Sequence, residues 1–208
     1  SEAGISALGL AGFCTMKALT SSTGEPSAAS RPFDANRDGF VPCEGAGLIV
    51  LESEEHAHAR GARVYAELAG FGCTSDAFHV VAPPEDGNGA SRAIKQALSD
   101  SGVVPEDVDY VNAHAPSTLI GDASELQALK SVFPAPQRIK LSSTKALTGH
   151  GLSLSSIMEA GFCSLALQKG FLPGSANVKE PDPEIGHLDL ITESVDTQAE
   201  IALTNSSG

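Results

Sequence analysis

Residues 152–169 constrain this 208-residue chain most: a helix-length run, apolar on nearly every face, that still carries one carboxylate, Glu159. A helix that is apolar all round lies inside a molecule, with other layers of structure against it. Serines and Glu159 interrupt the run, and it is too short to cross a bilayer. An unpaired carboxylate at its middle would be expensive to bury. Glu159 therefore needs a lysine, a bound cation or a network of hydrogen-bond donors.

The remaining pattern supplies the layers. Helical and strand-like segments alternate, which points to an α/β class. Helices are expected over residues 8–20, 54–60, 89–101 and 122–132, and a Ser/Thr/Gly/Pro-rich loop over 21–30. Strands are expected over 46–51, 64–71, 108–111, 139–142, 188–192 and 201–205, the first of them a continuous apolar run that reads as buried. Asp122 is expected to N-cap its helix, with Glu125 three residues on in a capping-box arrangement.

Hydrophobic content of 41% and charged content of 19% suit a globular chain without extended disorder. A formal charge of −13 argues against nucleic acid and anionic membrane as partners. Ser1 opens no basic-then-apolar export signal, so a cytoplasmic setting is expected. Cys14, Cys43, Cys73 and Cys163 never form CxxC and read as buried small hydrophobes in a reducing compartment. Residues 34–39 imitate the opening of a calcium loop. The twelfth position is Gly45, however, with Glu44 one place early, so the calcium reading fails on register.

Two segments carry chemistry: Val111-Asn112-Ala113-His114, and Ser143-Thr144-Lys145 running on to Gly149-His150. Each delivers a histidine at a strand-to-loop exit, and Lys145 stands five residues before the second. Two neutral imidazoles can donate two N–H groups to a single developing oxyanion. With an ordinary pKa near ~6.5, imidazole needs little pushing to stay neutral. A lone histidine is more often structural, but the pair with Lys145 reverses that expectation.

At these segments the chain resembles the elongating β-ketoacyl-[acyl-carrier-protein] synthases of the thiolase superfamily. Asn112-Ala113-His114-Ala115-Pro116-Ser117-Thr118, then Gly121-Asp122 and Glu125, is similar to their N-x-H-G-T-S-T-x-x-G-D-x-x-E signature. Ser143-Thr144-Lys145, Gly149-His150 and Glu159 match S-T-K-x-x-x-G-H…E. Arg31-Pro32-Phe33-Asp34, Arg37-Asp38-Gly39-Phe40, Glu44-Gly45-Ala46-Gly47, Ala69-Gly70-Phe71-Gly72 with Ser75-Asp76, and Asn205-Ser206 agree in order as well.

The resemblance implies a thiolase-like layered α/β fold, a mixed sheet sandwiched by helices with a buried central helix, and a decarboxylative Claisen condensation. Malonyl-carrier protein loses CO₂, and the resulting enolate attacks an acyl thioester held on a cysteine. His114 and His150 would be the oxyanion donors, and Lys145 the cation that disfavours their protonation. Asn112, Glu159, Asp122 and Glu125 would form the supporting network, and Thr118 would hold the phosphopantetheine arm of the carrier protein. No dissociable cofactor is required; a structural monovalent cation at Asn112, Glu159 and Asn205 is implied, with a buried network as the alternative for Glu159. Acyl carrier protein and a second ketosynthase subunit, identical or not, are the implied partners.

Departures from the pattern are equally specific. Pro116 replaces a threonine and offers neither N–H nor hydroxyl to the arm. Ala115 replaces a glycine, Ser207 a phenylalanine of the closing loop, and residues 151–156 depart from the usual small-residue run. None of the cysteines lies in the family's nucleophile elbow. Residues 1–30 are thus expected to end an N-terminal half, and 31–208 to form a C-terminal half cut before its last strand. Lys17 reads as an ordinary solvated lysine. A non-catalytic chain-length-factor-like subunit is the alternative; a coenzyme A thiolase is disfavoured, because no cysteine occupies the loop that would carry its second reactive thiol.

Overall fold

The computed structural model describes residues 1–207. After helix α1 (Ala7–Thr15) and the short α2 (Glu54–Ala59), α3 (Asn88–Ser101) leads into strand β1 (Tyr110–Asn112). Then follow α4 (Leu119–Val132), β2 (Lys140–Ser142), the single turn α5 (Lys145–Thr148) and α6 (Ser155–Lys169). The chain closes through β3 (Phe171–Leu172), β4 (Asp189–Leu190), β5 (Val195–Asp196) and β6 (Ala202–Thr204).

Four strands form one parallel sheet in the order β4-β2-β1-β6. Val111 pairs with Leu141 on one side and Leu203 on the other. Parallel neighbours need long crossovers, and α4 supplies the one between β1 and β2. Alternation along β1 then assigns the two faces. Val111 and Leu141 join Ile94, Leu98, Leu126 and Leu129 of α3 and α4 in the main core. Tyr110 points the other way, into a smaller cluster with Cys163 of α6, Leu172 and Ile191. The helix–sheet–helix layering is present, but the central sheet is wholly parallel where a mixed one was expected, and the antiparallel pair β3–β5 stands apart from it.

Three further expectations change. Helix α6 buries Ser155, Glu159, Cys163 and Ala166 along one face, but Leu165 is 44% exposed, so the helix is covered on one side and not all round. Residues 46–51 and 64–71 make no strand pairing among the described residues, and Leu48 is 93% exposed. An apolar run reports a tendency to be buried; a strand also needs a neighbour's N–H and C=O groups, and none is supplied here. Of the cysteines only Cys163 is buried; Cys43 is half-buried, and Cys14 and Cys73 are exposed. Cys14 sits on α1, which buries no residue, and Cys73 follows the unpaired 64–71 segment.

Smaller differences have local causes. Helix α1 stops at Thr15 because Lys17 takes a positive φ of 55° and the chain turns to bridge Leu19 with Phe40. Lys17 itself is exposed, as expected. The antiparallel pair β3–β5 has two residues per strand, too few to leave a periodic signal. Among the described residues no helix is long and apolar enough to cross a membrane.

Exposed Leu48, Val50, Leu51, Leu68 and Phe71 have a measurable consequence. Exposed apolar side chains in such number favour association. The 208 residues expressed alone are expected to self-associate and to bind an apolar dye. A monodisperse, cooperatively unfolding monomer that leaves the dye dark would count against that exposure.

Candidate active site

Both histidines leave the same edge of the sheet. Strand β1 ends at Asn112, and Ala113 extends the ladder by donating its N–H to Ser142 O at 2.8 Å, so His114 emerges at the carboxyl end. Strand β2 ends at Ser142, and α5 with Gly149 brings His150 to the same place. Gly149 takes φ +73°, and a Cβ there would stand 2.8 Å from Val41 O. That close approach lets His150 N donate to Val41 O at 2.7 Å, while Cys43 N donates to His150 O at 3.0 Å. The two imidazole centroids end 5.0 Å apart, their planes nearly perpendicular at 87°.

Buried carboxylates hold the first histidine. Glu125 accepts from His114 N at 2.8 Å and Ala115 N at 2.7 Å, and Asn205 Nδ2 donates to the same carboxylate at 2.7 Å. Asp122 was expected to cap its helix from outside. The helix instead begins at Leu119, and Asp122 sits in its first turn with its carboxylate turned back. It accepts from Ser117 N and Thr118 N, both at 3.1 Å, and from Phe33 N at 3.0 Å. Most of these loop N–H groups lie in the interior and need acceptors there, so both acids serve the His114 loop and not a capping box. Buried Arg37 lies 3.3 Å from Asp122, and burial pushes that acid up to about 7 against the guanidinium's pull.

Behind the histidines, Lys145 and Glu159 are both fully buried, and the Lys145 ammonium donates to Glu159 Oε1. The partner that Glu159 required is this lysine. Its second oxygen accepts from Ser206 Oγ at 3.3 Å. Burial pushes Glu159 up to about 7, with Lys145 pulling it back. Asn112 donates from Nδ2 to Thr144 Oγ1 at 3.5 Å, and its buried Oδ1 has no donor among the described residues. Thr118 is half-buried at the start of α4, its carbonyl taken by Arg37 Nε at 3.0 Å. Pro116 is buried in the same loop and Ser207 is exposed.

Electrostatics keep both rings uncharged. Burial first, then the nearby Lys145 charge, lowers His150 to about 4; burial, Lys145 and His150 hold His114 well below its ordinary value. Between about 4 and the ordinary 6.5 an unfolded chain binds the His150 proton and the folded one does not, so this group makes stability rise with pH in that window. Asp122 and Glu159, pushed up, act with the opposite sign. The ring itself is therefore the cleaner reporter. Its nitrogen resonances are expected to stay fixed from pH 8 to 5 and move only towards about 4. An inflection near 6.5 would show an unshifted histidine.

Two contributors were not singled out from the sequence. Phe40 stands edge-to-face on His150, centroids 5.1 Å apart, with Phe13 behind it at 5.3 Å. Ser155 Oγ lies 3.1 Å from His150 Nδ1. A serine five residues past a histidine follows no helical or strand period, but serines in an otherwise apolar helix were a visible signal.

Comparison with known proteins decides the family. The family model described as "Beta-ketoacyl synthase, C-terminal domain" matches residues 65–179, and its N-terminal companion matches residues 1–57. This chain belongs to the β-ketoacyl synthase family. All of it aligns at 48% identity with 46% of a mitochondrial 3-oxoacyl-[acyl-carrier-protein] synthase of Arabidopsis thaliana. Against 3-oxoacyl-[acyl-carrier-protein] synthase 2 of Staphylococcus aureus the identity is 44%, over all of the chain and 51% of the relative. The β-ketoacyl synthase chain thus spans about half the length of the curated relatives it matches. A type II polyketide ketosynthase, solved with its acyl-carrier protein, superposes with TM-score 0.94 at 37% identity, over 98% of this chain and 50% of that one. The fold is thiolase-like, as the resemblance implied.

Proposed function

We propose that the protein carrying this chain condenses a malonyl unit, delivered on acyl carrier protein, with an acyl group held as an enzyme thioester, in fatty-acid or polyketide elongation. The observation that carries the reading is the pair of uncharged imidazoles, 5.0 Å apart, with Lys145–Glu159 buried behind them. When the malonyl C–C bond breaks, CO₂ leaves and the electron pair moves into an enolate whose charge sits on the thioester oxygen. His114 and His150 donate hydrogen bonds to that oxygen, and fixed donors in a dry site need no reorganisation to do so. The enolate carbon then attacks the acyl thioester and the cysteine thiolate departs. That cysteine lies outside the chemistry these residues supply.

Thr118 would receive the phosphopantetheine arm, and Pro116 would leave one contact to it unmade. Two buried carboxylates, Glu125 and Glu159, lie near one buried ammonium, and Asn112 Oδ1 lacks a donor among the described residues. A monovalent cation held by Asn112, Glu159 and Asn205 fits that imbalance and would supply positive charge behind the histidines. Carrier protein and a second ketosynthase subunit are the partners, in an aqueous, cytoplasmic setting. A second reading has its own support: a ketosynthase/chain length factor structure superposes with TM-score 0.88 at 36% identity. The whole protein supplied with malonyl-carrier protein is expected to release CO₂. A protein that binds the carrier but releases none, and has no cysteine at the nucleophile elbow, would be the chain-length-factor-like subunit.

A further inference from the structure

His150 can donate to an oxyanion through Nε2 only if its single proton is on that nitrogen. We infer that Ser155 is a positioning residue that holds His150 in the Nε2–H form, an inference that rests on the reading of His150 as an oxyanion donor. The hydroxyl is almost wholly buried, at 1% exposure, on the first residue of α6. Its oxygen accepts from Gly151 N at 3.1 Å and stands 3.1 Å from His150 Nδ1.

Two proton arrangements satisfy that second distance, and they are not equal. If Nδ1 carried the proton, Ser155 Oγ would receive two donors, and its own hydrogen would be buried with no acceptor among the described residues. If Nδ1 is bare, the hydroxyl donates to it, Gly151 N–H is satisfied by the same oxygen, and every polar hydrogen has a partner. The second arrangement puts the imidazole proton on Nε2. What orients the other nitrogen of a histidine decides which one holds the proton.

The surrounding rings complete the device. Phe40 packs edge-to-face on His150 at 83° and His114 packs on it at 87°, so the imidazole plane is held by its neighbours and the proton by Ser155. His114 has no such partner among the described residues: its Nδ1 is buried without a hydrogen bond to any of them. The two histidines therefore differ in how firmly their protons are placed, with His150 the more firmly set.

The test reads the tautomer directly. In the whole protein, ¹⁵N correlation spectra of the histidine rings at neutral pH are expected to show His150 as a single Nε2–H form. Ser155→Ala should give a mixture or the Nδ1–H form, and Ser155→Thr, which keeps the hydroxyl, should return the single form. Decarboxylation kcat should fall roughly 10–100-fold in Ser155→Ala with KM little changed, on the scale seen when a metal-bound histidine loses the partner that fixes its tautomer. An Nδ1–H ring in the unaltered protein, measured without any substitution, would overturn the inference. So would an unchanged tautomer in Ser155→Ala. A tautomer that shifts while decarboxylation does not would leave Ser155 in its role and remove His150 from the chemistry.

Discussion

Replacing Glu159 with alanine is expected to destabilise the whole protein by about 3–5 kcal/mol, the effect of leaving one member of a buried ion pair alone. Lys145 and Glu159 are both at 0% exposure, and no other carboxylate bonds to the Lys145 ammonium among the described residues. Removing the acid leaves a cation in the interior that must find water or lose its proton. The double variant Lys145→Met/Glu159→Leu should recover most of that stability, because it buries no charge. It should not recover activity, since the cation that adds to burial in holding both histidines below their ordinary pKa has gone. Denaturant titration of the three proteins decides the matter. A loss under about 1 kcal/mol in Glu159→Ala would mean that solvent reaches the lysine.

Removing either imidazole should reduce malonyl decarboxylation by roughly 10²–10³-fold, the usual effect of deleting one oxyanion donor. His114→Ala and His150→Ala are both expected to do so. Acyl transfer onto the cysteine should suffer less, because no enolate forms in that step. The double variant should lose less than the product of the two, since both donors serve one oxygen. Measuring CO₂ release beside acyl-enzyme formation separates the steps. Equal damage to both would mean that the rings shape the pocket and do not stabilise the enolate.

Legibility from sequence followed the range of the interactions involved. Helix α3, with apolar residues on one face, and strands β1 and β2, each bounded by turn residues, announced themselves because their signals are local. The pairing of Glu159 with a cation was legible too, because an apolar helix cannot carry a carboxylate uncompensated. Asp122 was misplaced for the opposite reason. The same acid serves as a cap or as a clamp depending on where the helix begins, and Phe33, 89 residues away, is among its partners. Ser155 escaped notice because nothing local distinguishes a hydroxyl facing its own helix from one facing a histidine. The 46–51 run is apolar yet unpaired among the described residues, since composition reports what a segment avoids and not what it meets.

The parallel order of the central sheet also bears on how the protein folds. Strands β1, β2 and β6 are joined by intervening helices, and the bonds that tie down the histidine loops are as distant in sequence as Ser30 Oγ to Lys145 O, 115 residues apart. Chain must be closed into large loops before any such bond can form, which makes topologies of this kind slow to assemble. The helices are expected to gather early and the site's long-range bonds to form late. Until they do, Lys145 and Glu159 remain hydrated and apart, and the two imidazoles titrate as any exposed histidine would. The recovery of shifted ring signals during refolding would then mark the final event on the path to the native state.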